Sequence, residues 1–323
     1  MFSKIKNRVS KIVYPNSPSS SSLPFVEYFK WMYFTHRKLK NPMSIDIQTR
    51  SGCNARCVFC GVGREKNKIN GYMSDDLYKK IIDEIMTYPN LKQINPYLLN
   101  DPLVDPKIPE RIEYIINKRG RSKKPIVRII TNAGLLTEDM AYKLLHSGLD
   151  ECNISFNTIQ KDIYEQTVPP LKYDNVMSNI LKLVELRDKL KTVKPPKISV
   201  WTVRTTYVEK NLNNEKAYWK KIGVGFKARK IDNRALDRVE GLALSDRDFQ
   251  TVDICPVPFW RAWIMWNGDM IMCCVDQERT FLLGNCERDS VRDIWNGPRY
   301  RGLREAWRKK KLGGFLCNTC KGT

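Results

Sequence analysis

Three cysteines on one short loop, Cys53, Cys57 and Cys60, constrain this chain more than any other feature. They stand in the order C-x3-C-x2-C directly behind Ser44-Ile45-Asp46-Ile47-Gln48, whose apolar and polar residues alternate as in a strand. Cysteine thiolates are the usual ligands of iron–sulfur centres, so three on one loop can hold three irons of a cubane cluster. The remaining iron keeps open positions, and an open metal position is where chemistry happens. A zinc knuckle would instead pair C-x2-C units and supply four ligands.

Downstream of residue 44 the chain alternates between the two periodicities. Ser74 followed by Asp75 and Asp76 reads as a helix N-cap with acids in the first turn, and Leu77, Ile81, Ile82 and Ile85 continue the helix. Strands are expected over 93–99, 126–131, 151–156, 197–203 and 226–231. Helices are expected over 108–116, after Thr137, over 173–190 and over 213–222. Six strand–helix alternations argue for an all-parallel α/β layout. In barrel-type α/β folds the chemistry sits on loops after strand C-termini, which is where the cysteine loop falls.

The texture changes after Asp253, where Cys, Trp, Gly and Pro concentrate. Asn267-Gly268 is a hairpin signal that would fold two apolar strands together and bring Cys273 just beyond the turn. Cys255, Cys273, Cys317 and Cys320 then form a second thiol set, closed by the C-x2-C pair. From the residues alone this set suits an iron–sulfur cluster or a zinc ribbon. Cys152, Cys274 and Cys286 are left over. Each reads as a buried thiol or as a donor of a hydrogen atom.

The net charge of +21 favours an acidic partner, such as a phosphorylated or nucleotide-linked substrate, nucleic acid or an anionic surface. A lysine-rich proteome would produce the same bias. Residues 1–43 form a basic extension with a single acid, Glu27, split by a Ser/Pro stretch from Pro15 to Pro24. Phe2, Ile5, Val9, Ile12 and Val13 recur there at helical spacing, and docking on the domain is favoured over membrane contact. No apolar run is long enough to span a bilayer and no signal-peptide pattern opens the chain, so the cytoplasm is the expected location. The domain layout reads as the 1–43 extension, a core over 44–231, a linker over 232–252 and a cysteine-rich domain over 253–323.

The C-x3-C-x2-C loop, with the aromatic Phe59 just before its last cysteine, resembles the radical S-adenosylmethionine (SAM) superfamily over roughly residues 44–231. That resemblance implies a partial (β/α)6 TIM-like barrel in which Cys53, Cys57 and Cys60 hold a SAM-binding [4Fe-4S] cluster. Reduced by an external donor of the flavodoxin or ferredoxin type, the cluster would cleave SAM to a 5'-deoxyadenosyl radical that abstracts a substrate hydrogen. Asn100 and Asp101 match the family's "GGEP" motif, with a shorter acid and a larger neighbour. Thr131 and Asn132 match its "TNG" strand end. Ser155 and Arg204 fall at strand ends that face the SAM ribose or carboxylate, and Phe59 lies near the adenine position. The region after 253, with G-x4-C, Gly284-Asn285 as a "GN" turn and Ile294-Trp295-Asn296-Gly297, resembles the SPASM extension. It implies an auxiliary [4Fe-4S] cluster on Cys255, Cys273, Cys317 and Cys320. The C-x2-C-x5-C block of a full SPASM domain is missing, so one auxiliary cluster is expected.

Two fates of the substrate radical then stand open. Losing an electron to the auxiliary cluster gives two-electron oxidation, an alcohol dehydrogenation of a small polar, sugar-like substrate that the charge suggests is phosphorylated. Taking a hydrogen from Cys152, Cys274 or Cys286 gives epimerisation, and related enzymes also modify ribosomal peptides. RNA modification is a further reading of the basic charge, especially of Arg299, Arg301, Arg304 and Arg308–Lys311.

Overall fold

The computed structural model describes residues 39–62, 71–190, 194–230, 255–318 and 320. The basic extension up to residue 38 and the linker expected over 232–252 lie outside the described residues. Six parallel strands run in order across one sheet: β1 (Ser44–Ile47), β2 (Gln93–Asn95), β3 (Ile126–Thr131), β4 (Glu151–Ser155), β5 (Lys197–Arg204) and β6 (Gly225–Lys230). Helices follow them: α1 (Asp75–Ile85), α2 (Ile108–Arg119), α3 (Glu138–His146), α4 (Lys161–Thr167), α5 (Tyr173–Lys189), α6 (Thr206–Glu209) and α7 (Leu212–Lys221). This is the partial (β/α)6 barrel with its parallel sheet at the centre.

Local chemistry sets the element ends. The Ser74 Oγ accepts from the Leu77 amide at 3.2 Å at the start of α1, and the Thr137 Oγ1 accepts from the Met140 amide at 3.2 Å at the start of α3. Both are N-caps that satisfy an otherwise unpaired helical N–H. Strand β2 stops at Asn95, well before the expected Leu99. Pro96 has no N–H to give the ladder, and Leu99 turns into the left-handed region at φ 50°.

The strands have two unlike faces. Ile94, Val127, Ile129, Cys152, Ile154, Ile198 and Val200 point to the helices and join the main apolar core. The register Asp46↔Asn95, Arg128↔Glu151, Asn153↔Ser199 and Ser155↔Trp201 puts polar and charged residues together on the other, concave face. Burial on the helix side supplies the stability, which leaves the concave face available for function.

The cysteine-rich region does not stand apart from this sheet. Strand β7 (Arg261–Ile264) pairs parallel with β1, with Ser44 opposite Arg261 and Ile47 opposite Ile264. Strands β8 (Asp269–Ile271) and β9 (Leu282–Asn285) follow antiparallel, giving the order β6-β5-β4-β3-β2-β1-β7-β8-β9. Asn267-Gly268 is the β7–β8 turn, with Gly268 at φ 82°. Gly284-Asn285 lies on β9 and is no turn. The Asn285 Nδ2 donates to the Asn267 carbonyl at 3.0 Å and to the Asp269 Oδ1 at 2.8 Å, locking that hairpin. Helices α8 (Val291–Asn296) and α9 (Pro298–Arg308) close the region. Among the described residues no helix is long and apolar enough to cross a membrane.

Trp266, in the β7–β8 turn, seats the auxiliary hairpin on the loop before α1. A Cβ on Gly71 would stand 2.0 Å from Trp266 Cε2. The indole is rigid and cannot yield at that distance. Gly71→Ala is therefore expected to cost about 1–3 kcal/mol, the usual penalty of overpacking. Urea unfolding of the variant checks this, and an unchanged midpoint would refute the close seating.

Candidate active site

The cysteine loop leaves β1 through Gly52, at φ 88°. Backbone bonds hold it on the neighbouring loops: the Arg56 amide donates to the Pro169 carbonyl at 2.6 Å and the Val58 amide to the Thr167 carbonyl at 3.0 Å. A parallel bridge joins Gly52 to Asn100, bringing the loop after β2 alongside. The three thiols are half-buried on one loop. Burial pushes the Cys53 thiol up to about 12 and the Cys57 thiol well above its ordinary value. Two donors already face the Cys53 sulfur, the Ala55 amide at 3.5 Å and the Asn132 Nδ2 at 3.6 Å.

Asp101 is the hub of the neighbouring loops. It is 3% exposed, and its carboxylate accepts from the Leu103 amide at 2.9 Å, the Asn132 amide at 2.6 Å and the Thr131 hydroxyl at 3.0 Å. Burial raises it to about 6, against the pull of those donors. The carboxylate thus staples the end of β2 to the end of β3. Asn100 turns inward on its own loop, accepting from the Leu98 amide at 2.8 Å. The Asn132 Nδ2 also donates to the Asn54 Oδ1 at 2.8 Å, tying the β3 end to the cysteine loop.

The other sequence-derived candidates are more scattered. Phe59 sits in the main core. Ser155 is half-buried at the end of β4, opposite Trp201. Arg204 is engaged by Glu209 through two bonds at 2.8 and 2.5 Å. Cys152 lies on the helix-facing side of β4, 1% exposed, and so is turned away from the concave face. Cys286 is buried within electrostatic reach of Glu84 and Lys80 of α1. Cys274 packs against the apolar cluster of Leu98, Trp263, Met265 and Ile271 and lies within electrostatic reach of Arg261, whose strand borders the concave face.

The second thiol set also comes together. Cys255 feels the charges of Cys320, Cys317 and Cys274, and Cys273 those of Cys274 and Cys255. Phe259, Met272, Leu303 and Trp307 wall the set with Cys255, Cys273 and Cys317 against them. Burial raises Cys317 to about 11, and the Trp307 indole N–H opposes that rise.

Residues 47–206 match the model of the radical SAM superfamily, and residues 255–321 match that of SPASM, an iron–sulfur cluster-binding domain. The chain belongs to the radical SAM superfamily and ends in a SPASM domain. A tungsten-containing aldehyde ferredoxin oxidoreductase cofactor-modifying protein from Pyrococcus furiosus is 24% identical over 304 residues, 80% of this chain and 82% of that one. An S-adenosyl-L-methionine-dependent 2-deoxy-scyllo-inosamine dehydrogenase from Niallia circulans is 21% identical over 281 residues, 85% of this chain and 91% of that one. In fold, the chain resembles Streptococcus suis SuiB bound to S-adenosylmethionine, with TM-score 0.65 at 14% identity, covering 94% of this chain and 78% of SuiB.

As a radical SAM enzyme with a SPASM domain the protein uses SAM, a SAM-binding [4Fe-4S] cluster and an auxiliary [4Fe-4S] cluster. The donor sets fit these groups. Buried thiols with raised pKa values become good ligands only when a cationic centre displaces their protons. N–H donors already aimed at the Cys53 sulfur suit a thiolate, and such bonds tune cluster potentials. Each thiolate of a cubane serves its own iron, so the sulfurs need not meet at one point. Among the described residues no three acidic, His or Cys groups gather around a single ion position.

The charged concave face had not been singled out from the sequence. Arg261 grips Asp46 through two N–H groups at 2.9 and 3.0 Å, and the Asn95 amide donates to the same carboxylate. Arg128 pairs with Glu151 at 2.5 Å. The period-two pattern of each strand held the signal, because every one of these residues occupies the polar phase of its strand.

Proposed function

We propose that this radical SAM enzyme oxidises a small polar, sugar-like substrate by two electrons, converting an alcohol to a carbonyl. The observation that carries the reading is that β7, which lies between Cys255 and Cys273 in the chain, pairs in the same sheet with β1, the strand that delivers the cysteine loop. The cysteine loop leaves the C-terminal end of β1. Cys255 and Cys273 flank the β7–β8 hairpin at the other end, where Arg261 pairs in register with Ser44.

When bound, the core cluster supplies the electron that splits SAM to a 5'-deoxyadenosyl radical, and the auxiliary cluster supplies an acceptor for the second substrate electron. In this reading Cys53, Cys57 and Cys60 ligate the first and Cys255, Cys273, Cys317 and Cys320 the second. Asp101 holds the ends of β2 and β3 in register, so that the backbone around Asn100 and the Asn132 side chain meet SAM in fixed positions. Asp46, clamped by Arg261, offers a buried carboxylate beside the substrate. Burial pushes its pKa up, which suits an acceptor for the alcohol proton. The Niallia circulans relative, a dehydrogenase by name, supports oxidation.

A thiol-donor reading draws on Cys274, the one leftover cysteine placed beside the concave face. The two are separated by running the anaerobic reaction in deuterated water with a panel of polyols, aminocyclitols and sugar phosphates. Oxidation is expected to yield 5'-deoxyadenosine and a carbonyl product in equal amounts. An unoxidised product carrying solvent deuterium, lost in Cys274→Ala, would replace it with epimerisation.

A further inference from the structure

Arg304, on α9, is a buried cation that no carboxylate among the described residues neutralises. It is 8% exposed, and its bonds go to carbonyls: Nε donates to the Pro258 oxygen at 3.0 Å and Nη1 to the Trp295 oxygen at 2.8 Å. Its Nη2 is buried without an acceptor. Cζ stands 3.9 Å from the Trp295 ring centroid and 4.2 Å from that of Tyr300. Burial lowers its pKa to about 10, and the like charge of Arg308 adds to the lowering, which still leaves the group charged at neutral pH. A charge buried without a counter-ion is costly. Two aromatic faces offset only part of that cost.

The helix that carries Arg304 is also the wall of the second thiol set. Leu303, beside it in the chain, and Trp307, one turn on, pack with Phe259 against Cys255, Cys273 and Cys317. Pro258, which takes the Nε bond, follows Cys255 by three residues and directly precedes Phe259. Tyr300, beneath the guanidinium, lies within electrostatic reach of Cys273. Trp307 is a second, independent feature of the same wall. It is 3% exposed, its Nε1 is buried without a bonded acceptor, and the thiol it acts on is that of Cys317. An indole N–H can only donate, so a thiolate at Cys317 would supply the acceptor it lacks.

We propose that Arg304, as a fixed buried charge, and Trp307, as a donor to the Cys317 sulfur, raise the reduction potential of the auxiliary cluster and so make it the sink for the substrate electron. This rests on the oxidation proposed above, with Cys255, Cys273, Cys317 and Cys320 as the ligands. Four thiolates make such a cluster anionic, and reduction adds one more negative charge. A nearby cation and an N–H bond to sulfur both favour the more negative form. At an effective dielectric of about 20, a unit charge about 10 Å away changes a one-electron equilibrium by about tenfold. In the step this serves, the hydroxylated carbon radical gives one electron to the auxiliary cluster and its hydroxyl proton to Asp46, closing the C=O bond. Arg304 and Trp307 act only through the cluster and are positioning residues.

The test is a redox titration of the reconstituted holoenzyme followed by electron paramagnetic resonance, with and without SAM. The signal that SAM leaves unchanged reports the auxiliary cluster. Arg304→Met is expected to lower its reduction constant by about tenfold, which is about 59 mV for one electron. Trp307→Phe, which keeps a ring and removes the N–H, should move it the same way by less. Lys310→Gln, on the exposed end of the helix, should leave it in place. A purely structural Arg304 would change the urea midpoint and not the potential. Iron content reports cluster loading, and Trp307→Phe carries the test if Arg304→Met loses its iron. An unshifted or raised potential in the iron-replete variants, or an equal shift in Lys310→Gln, would overturn the assignment. The potential is read without substrate, so its failure is separate from that of the oxidation, which the deuterium experiment decides.

Discussion

Replacing Cys53, Cys57 and Cys60 together by alanine is expected to bring SAM cleavage to background and to remove about half of the iron, leaving the auxiliary cluster in place. The loop should survive the change. Its path is held by backbone bonds from Arg56 to Pro169 and from Val58 to Thr167, none of which uses a sulfur. Burial holds the Cys53 and Cys57 thiols above their ordinary pKa, so their removal takes away no charge pair. The second thiol set belongs to a different apolar cluster, around Phe259, Leu303 and Trp307. Iron and sulfide per chain after anaerobic reconstitution, with 5'-deoxyadenosine release under a strong reductant, check the expectation. A variant that keeps all its iron would place the SAM-binding cluster elsewhere. One that loses all of it would make the auxiliary set dependent on the first.

Asp101→Ala is expected to be the most damaging single change near the site. It strands the Leu103 and Asn132 amides and the Thr131 hydroxyl in a buried pocket. Unsatisfied buried donors cost roughly 1–3 kcal/mol each, and relaxation with entering water recovers part, so a loss of about 2–4 kcal/mol is expected. Asp101→Asn keeps the shape and one acceptor oxygen, and should cost less. Titration provides an independent handle. Burial raises the folded pKa to about 6 from 3.8, so the folded state binds the proton more tightly than the unfolded chain does. The stabilisation from this group is fully present below about pH 4 and is lost as pH rises through about 6. Asn does not titrate. Asp101→Asn in the metal-free chain should therefore look more destabilising at about pH 5 than at about pH 7 when urea midpoints are compared. The opposite trend would mean that the carboxylate is held ionised by its donors.

Much of the architecture was legible because hydrophobic periodicity reports directly on which face of an element is buried. Strand β3 occupies the expected residues, 126–131, and α1 and α3 begin at the expected caps. Short elements escaped: α4 and α6 are too brief to show a helical period, and β9 hides in a stretch whose Gly284-Asn285 suggested a turn. Strand β2 ended early because one proline outweighed an apolar run. In the site, the spacing of Cys53, Cys57 and Cys60 needed no tertiary information, since one loop carries all three. The clasp of Asp46 by Arg261 and the partners of Asp101 could not be read in advance. Each joins residues from separate strands.

By itself the sequence determined which thiols share one short loop, which of the longer segments become strands and helices, and which phase of each strand is polar. Those are properties of near neighbours, set by side-chain chemistry and backbone geometry within a few residues. Only the tertiary structure decided that β7 lies beside β1, merging the SPASM hairpin with the barrel sheet. Pairing Ser44 with Arg261 joins positions far apart along the chain. Its free energy comes from ladder bonds and packing that exist only once the sheet has closed, and no local pattern encodes that choice.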